Sequence, residues 1–451
     1  MARRSASIGL LVALFALPLY PKIALVGVSG TYIPLRLDDL IVACAAAVWI
    51  VALAVSRRLP AAPRELTAAV TLWLGVTLIA LVVGAFVLDS VGIVEGAAFW
   101  AKPIEYVLLG LMAYDLVRNG WLPIRFILAT VLASAAIVTG YGVAEHFGLV
   151  PHLPGQIPPP GGTTSTLGDL HELASYLGLI IVLAVCLFHD AASRPARLAL
   201  VVLVGAAILV QFSTGARSEY IALVVVLFGL VLWRPARAPA ALAVTAMALL
   251  FASPLVGNLL PAPAPIVQPG PVPSPATAAA PPANNVAAPP GNNVTDRFMN
   301  ASLVDSLTDR FAHKWPALIQ ETMRSPIIGL GPSAATEAAD GYYLRVFVES
   351  GIVGVIAFVG LVLTIVGSSV RAARRAKGLA QSLAVAAIAA TVFVALVSVL
   401  IDTWVASRVM ELFWPLLGTS LGAVALALQE EPSAASSTIV GRQAVSGASS
   451  A

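Results

Sequence analysis

The chain has 451 residues, of which 59% are hydrophobic and only 11% charged, with a net charge of +3 and two cysteines. A soluble domain carries roughly a quarter charged residues, and so few charges do not cover so much apolar surface in water. The composition excludes a single water-exposed globule and points to a bilayer as solvent; the small net charge gives no basis for a nucleic-acid partner.

The N-terminus reads Met1-Ala2-Arg3-Arg4 before an apolar run. A signal peptide begins in the same way, but span after span follows, so the expectation is an uncleaved first helix. Crossing a hydrocarbon core of about 30 Å takes roughly 17 to 25 residues. Runs of suitable character lie at 7–26, 36–55, 66–88, 103–117, 122–145, 170–188, 195–212, 217–233, 238–257, 345–368, 379–400 and 409–428. The predicted fold is therefore an all-α polytopic membrane protein of about 12 transmembrane helices. Residues 1–257 would hold nine of them, 258–344 one large extracytoplasmic loop, 345–428 the last three, and 429–451 a disordered tail. Cys44 and Cys186 both fall inside apolar runs and read as packing residues at lipid depth.

Basic residues set the orientation. With Arg3 and Arg4 in the cytoplasm, the other inside connections hold Arg57, Arg58 and Arg64; Arg118 and Arg125; Arg194 and Arg197; Arg234 and Arg237; and Arg371, Arg374, Arg375 and Lys377. Every inside loop is then basic, both termini are cytoplasmic, and the loop at 258–344 lies outside. Its part at 258–294 is an Ala/Pro/Asn tract holding about a third of the chain's 32 prolines, and is expected to be extended or disordered. From Thr295 to Arg324 apolar residues recur at helical spacing (Phe298, Leu303, Leu307, Phe311, Trp315, Leu318) among charges. That pattern predicts one or two amphipathic helices at the membrane surface.

Ionisable groups near spans are expensive and serve as functional pointers. They gather at the predicted outward ends: Asp169, His171 and Glu172; Arg217 and Glu219; Asp340, Arg345 and Glu349; Asp402 and Arg408. Basic residues on that face depart from the positive-inside pattern, which suggests an anionic ligand. Arg217 opens the eighth span, where unpaired N–H groups and the helix dipole add to its guanidinium; the combination suits a diphosphate. The same residue also reads as an interfacial Arg snorkelling to headgroups. Asp340 reads as a general base or acceptor-positioning group, or as the N-cap of the tenth span. His171 and Glu172 read as lining a polar cavity, or as lying at the interface while Asp169 caps the sixth span. Glu349 has an obvious partner in Arg345, one turn earlier on the same face. The Gly329-Leu330-Gly331 pair has no following Lys, and neither metal-ligand spacing nor a Ser-centred nucleophile elbow is visible. No cofactor is expected.

In order along the chain, several segments resemble the O-antigen ligase and O-antigen/exopolysaccharide polymerase superfamily. They are Gly168 to Leu177, Thr214-Gly215-Ala216-Arg217, Arg310-Phe311-Ala312-His313-Lys314-Trp315, Pro326 to Pro332 with its Pro-x-x-Gly-x-Gly-Pro pattern, Tyr343-Leu344 followed by Glu349-Ser350-Gly351-Ile352-Val353-Gly354, and Arg408 through Phe413 to Gly418. Ala216 stands where the family carries Ser. The resemblance implies a glycosyltransferase that takes a polyprenyl-diphosphate-linked glycan as donor and a glycan or lipid as acceptor, in the bacterial inner membrane. It implies that Arg217 holds the diphosphate, with Arg310 as a second clamp and Asp340 near the acceptor. His171, Glu172, Tyr343, Arg345, Glu349 and Arg408 would complete the binding surface. Ligases of the family often carry His-Asn just before the Tyr-Leu; the pair here is Asp340-Gly341, which leans towards polymerisation or an acceptor other than lipid A. Two other classes remain open. A transporter of a lipid-linked glycan would share many of these features, although no internal repeat is visible; a non-enzymatic assembly protein is the third.

Overall fold

The computed structural model describes residues 2–20, 24–27, 34–153, 162–233, 237–252, 308, 310–335 and 339–447, with 24–27, 34–35, 251–252 and 431–447 described by backbone alone. Each of the twelve apolar runs coincides with a helix: α1 Ala2–Ala16, α2 Leu37–Val55, α3 Arg64–Phe86, α4 Ile93–Arg118, α5 Ile124–His146, α6 Leu170–Leu187, α7 Arg194–Thr214, α8 Arg217–Val231 and α9 Arg237–Ala252. A π-helical turn at Arg310–Lys314 and the short α10, Trp315–Thr322, come next, followed by α11 Tyr342–Arg375, α12 Gly378–Val397 and α13 Ser407–Gly447. Eight helices are long and apolar enough to cross a membrane: α2, α3, α5, α6, α7, α11, α12 and α13 over Ser407–Glu430. Large apolar side chains such as Val51, Ile79, Ile356 and Leu363 are exposed along them, as suits a lipid-facing surface. The protein is a membrane-embedded helical bundle.

Several elements differ from the sequence reading. The first helix stops at Ala16 instead of continuing to 26, and Pro18 follows in a turn. The chain then forms a small antiparallel ribbon, β1 Ala24–Gly27 with β2 Pro34–Arg36, so the bundle is not purely α. Helix α4 begins ten residues before the expected 103, and Lys102, just outside the expected run, is paired with Asp39 and Glu105 inside the bundle. The backbone of α13 stays helical to Gly447, where a structureless tail was expected from 429. The proline-rich tract at 258–294 lies outside the described residues, as does the amphipathic stretch up to 307.

Helix α6 forms the centre. Every residue from Leu173 to Leu187 is buried, and a helix apolar on all faces is one surrounded by others. Helices α4 and α13 cross at backbone contact: a Cβ on Gly418 would lie 2.0 Å from the Gly110 carbonyl oxygen, and one on Gly422 2.9 Å from that of Tyr114. Lipid supplies no hydrophobic drive between helices, so such small-residue seams carry the packing.

Helix α11 is broken. Gly351 sits at φ 61 and ψ −166, interrupting the helical hydrogen bonds at that point. The exposed backbone groups are taken by the Pro326 to Pro332 turn: Leu330 N–H donates to Val348 O and Gly331 N–H to Glu349 O, both at 2.9 Å, and Ile352 N–H donates to Pro326 O at 2.9 Å. Ser90 Oγ closes the turn from the α3–α4 side by donating to Leu330 O at 2.6 Å. The Gly329-Leu330-Gly331 pattern is thus part of a packing turn docked on a helix break.

Candidate functional site

The starts of α2, α6, α8, α11 and α13 meet at one end of the bundle and bring the ionisable residues together. The site is built from the loop that leads into α6. Glu145, buried at the end of α5, accepts the backbone N–H groups of Thr164 (3.0 Å) and Ser165 (2.6 Å) and pins that loop. Asp169 then caps α6, its side chain accepting Glu172 N–H at 2.8 Å. This is the capping role weighed for Asp169, and it fixes where the next two side chains leave the helix.

They leave in different directions. His171 Nδ1 lies 2.7 Å from Glu219 Oε1 on α8, whereas Glu172 lies within electrostatic range of Arg408. Glu219 is fully buried, and its other oxygen accepts the Ser218 hydroxyl at 2.7 Å. The α8 start is set by Gly215, whose φ of 74 ends α7, and by Thr214 Oγ1, which accepts Ala216 N–H at 3.1 Å. Arg217 is the first residue of α8, beside N–H groups that have no partner one turn earlier.

A third wall comes from the 310–340 segment. Arg310 Nε donates to Asp340 Oδ2 at 3.3 Å and Lys314 Nζ lies 3.5 Å from the same oxygen. Arg310 is also within electrostatic range of His171. Asp340 does not cap α11, correcting that reading: the cap is Gly341, and its N–H donates to Asp402 Oδ1 at 3.3 Å. Asp340 is a counter-ion to two cations instead. The segment itself is surface-bound, with only Leu318 and Thr322 of α10 buried and Phe311 against Trp315 at 4.6 Å between ring centroids.

The remaining candidates brace helices. Arg345 donates through Nε to Asp402 at 2.7 Å and through Nη1 to Glu349 at 3.1 Å, so the expected Arg345–Glu349 pair is present with Asp402 as a third member. Glu349 also receives Ser333 N–H at 3.2 Å, and Tyr343 donates its hydroxyl to the Ala395 carbonyl at 3.2 Å. Arg408 is 1% exposed, with Asp38 at 3.4 Å, Glu411 at 3.2 Å and the Tyr20 carbonyl at 3.0 Å. Next to it Lys102 joins Asp39 and Glu105. Of the residues singled out from sequence, His171 is linked to Arg310 and through it to Asp340, and Arg217 opens the helix that carries Glu219; Tyr343, Arg345, Glu349 and Arg408 are engaged by neighbouring helices.

Sequence reasoning missed Glu219 as the partner of His171, and missed Asp38, Lys102, Glu105 and Glu411 entirely. The cost of placing a charge inside an apolar span was the available signal. Among the described residues no three His, Cys, Asp or Glu side chains are grouped as metal ligands. A partly open, mainly apolar cavity of about 210 Å³ lies between α3, α4 and α13, lined among others by Leu66, Val70, Val107 and Leu421.

Fold and site together define a polytopic helical membrane protein with a polar, cation-rich site at one end of the bundle. No protein-family model matches the chain, and no curated protein matches it either.

Proposed function

We propose that the protein is a membrane glycosyltransferase of the O-antigen ligase/polymerase type. It transfers a glycan from a polyprenyl-diphosphate donor to an acceptor hydroxyl at the outer face of the bacterial inner membrane. The observation that carries this reading is the placing of Arg310, on the segment before α11, within electrostatic range of the His171–Glu219 pair, with Arg217 at the N-terminus of the helix that carries Glu219. The leaving group of such a transfer is a diphosphate whose charge grows as the glycosidic bond breaks. Guanidinium groups and helix N–H donors fixed in advance at that position lower the barrier. The chemistry so arranged needs neither a metal nor a cofactor, because the cations meet the charge. Arg310 belongs to the segment following the proline-rich tract, so the loop would bring the second clamp over a bound donor.

The full arrangement proposed has twelve spans, both termini in the cytoplasm and the loop at 258–344 outside. Support comes from the end opposite the site, where Arg3 and Arg58 lie 4.7 and 4.0 Å from the Trp121 ring centroid and Arg58 pairs with Asp115 at 2.6 Å. Basic residues anchored there fit the cytoplasmic side. The Asp340-Gly341 pair favours polymerisation, or ligation to an acceptor other than lipid A.

A second reading, transport of a lipid-linked glycan, is favoured by one observation: the buried ion-pair clusters around Arg408 and Lys102, of a kind that lines substrate paths in transporters. An Arg217→Ala comparison separates the two. Surface glycan is followed on a gel together with the pool of lipid-linked intermediate. Transfer predicts loss of long or ligated glycan with intermediate accumulating on the outer leaflet. Intermediate retained on the cytoplasmic leaflet would favour transport, and no change in either would remove the diphosphate clamp.

A further inference from the structure

We propose that His171, oriented by Glu219, is the group that removes the proton from the acceptor hydroxyl; the proposal rests on the glycosyl-transfer reading above.

The geometry has three parts. First, a buried carboxylate faces Nδ1 at 2.7 Å. It holds the ring proton on that nitrogen, so Nε2 presents its lone pair away from Glu219. Carboxylate–imidazole pairs of this kind set both the tautomer and the orientation of a general base. Second, the pair is asymmetric in exposure: the Glu219 side chain is fully buried while that of His171 is 37% exposed. The carboxylate is therefore shielded and the imidazole is the member a substrate can reach. Third, the charged groups around His171 are those such a step requires. Arg310 lies within electrostatic range on one side and Asp169, the cap of its own helix, on another.

Asp340, the group that the resemblance would place near the acceptor, is differently disposed. Its Oδ2 is shared between Arg310 at 3.3 Å and Lys314 at 3.5 Å, and this places it as an anchor for the loop segment. The base role then moves from the loop to α6, a helix held in the bundle core. A base on a rigid element keeps its position.

The step balances without a co-reactant. The acceptor O–H bond breaks and its proton passes to His171 Nε2. The acceptor oxygen forms a bond to the anomeric carbon of the donor glycan. The bond from that carbon to the diphosphate oxygen breaks, and its electron pair leaves with the diphosphate, facing Arg217 and Arg310. The imidazolium, stabilised by the Glu219 carboxylate, returns its proton to water.

The test uses the full chain in proteoliposomes, supplied with polyprenyl-diphosphate-linked glycan extracted from cells that lack it and with the matching lipid-free glycan as acceptor. Released polyprenyl diphosphate and extended glycan are measured for wild type, His171→Ala, Glu219→Gln and Arg217→Ala at matched protein levels. The proposal expects His171→Ala and Glu219→Gln to lose turnover by about 10²-fold or more with donor KM unchanged, and added imidazole to restore turnover to His171→Ala but not to Arg217→Ala. His171→Ala with wild-type turnover, beside an inactive Arg217→Ala, overturns the base assignment and leaves glycosyl transfer standing. So does a His171→Ala enzyme that is well folded, inactive and unresponsive to imidazole. A wild-type protein that releases no polyprenyl diphosphate sinks the transfer reading itself, and the base assignment with it.

Discussion

Arg408 Nη1 lies 3.4 Å from Asp38 Oδ2, joining the first turn of α13 to the first turn of α2 with both side chains 1% exposed. Glu411 and the Tyr20 carbonyl take further contacts of the guanidinium, while its Nε is buried with no hydrogen-bond partner among the described residues. A charge so enclosed is bound to its own protein, which is why the structure makes Arg408 a strut. Removing one member of a buried ion pair strands the others at a cost of about 3–5 kcal/mol. Arg408→Ala is expected to lower the melting temperature in detergent strongly and to reduce membrane levels. Adding Asp38→Asn and Glu411→Gln should recover much of that loss, because fewer charges are stranded. A stable Arg408→Ala that alone fails to bind donor would return this residue to the binding surface.

The break in α11 gives a sharper structural prediction. Gly351 has φ 61, and a Cβ there would stand 2.3 Å from the Ile327 carbonyl oxygen. Gly351→Ala combines a strained backbone with a backbone clash and should cost about 3 kcal/mol or more. Gly360, on the same helix with nothing within 4 Å of its would-be Cβ, is the control. Gly360→Ala should be neutral or stabilising by up to about 1 kcal/mol. Thermal unfolding of the two variants in one detergent decides the matter; equal Tm values would mean the turn at 326–332 does not dock on the break.

At the α4–α13 seam, Gly418→Ala would put a methyl carbon 2.0 Å from the Gly110 carbonyl oxygen. Backbone is on both sides and neither can yield locally, so the helices must separate. A loss of about 2 kcal/mol or more is expected, read as lower Tm and increased protease sensitivity in detergent. Wild-type behaviour would show that the two helices cross at a wider spacing.

Orientation can be read chemically. With Cys44 and Cys186 replaced by Ala, a single cysteine is placed at Leu149, 77% exposed just after α5, or at Leu59, 88% exposed just after α2. A membrane-impermeant maleimide added to intact spheroplasts should label Leu149→Cys at once and Leu59→Cys only after lysis. The reverse pattern would invert the proposed topology.

The legible and illegible parts of this protein divide along physical lines. Apolar runs locate helices because lipid punishes every interruption, and all twelve runs coincide with a helix. The runs did not reveal that α1 would end at Ala16, or that Lys102 belongs inside α4, since a charge in a span looks forbidden until its partners on other helices are known. At the site, His171, Arg217, Arg310 and Asp340 stood out individually as polar residues at helix ends or on the loop. Their partners did not: Glu219 lies 48 residues from His171, and Asp402 lies 57 residues from Arg345. Asp340 fits a helix cap by residue type and position, and only the fold brings Arg310 and Lys314 against it. The glycine-rich turn carried a pattern whose purpose, docking on a helix break, depends on a break that the local sequence hides.

The most direct measurement is the fate of the donor lipid in vesicles containing only this protein. Wild-type protein is given polyprenyl-diphosphate-linked glycan and acceptor glycan, and free polyprenyl diphosphate is counted against newly joined glycan. The two should appear together in equal amounts, and Arg217→Ala should abolish both. Glycan that reaches the opposite leaflet still attached to its lipid, with no free polyprenyl diphosphate formed, would contradict glycosyl transfer.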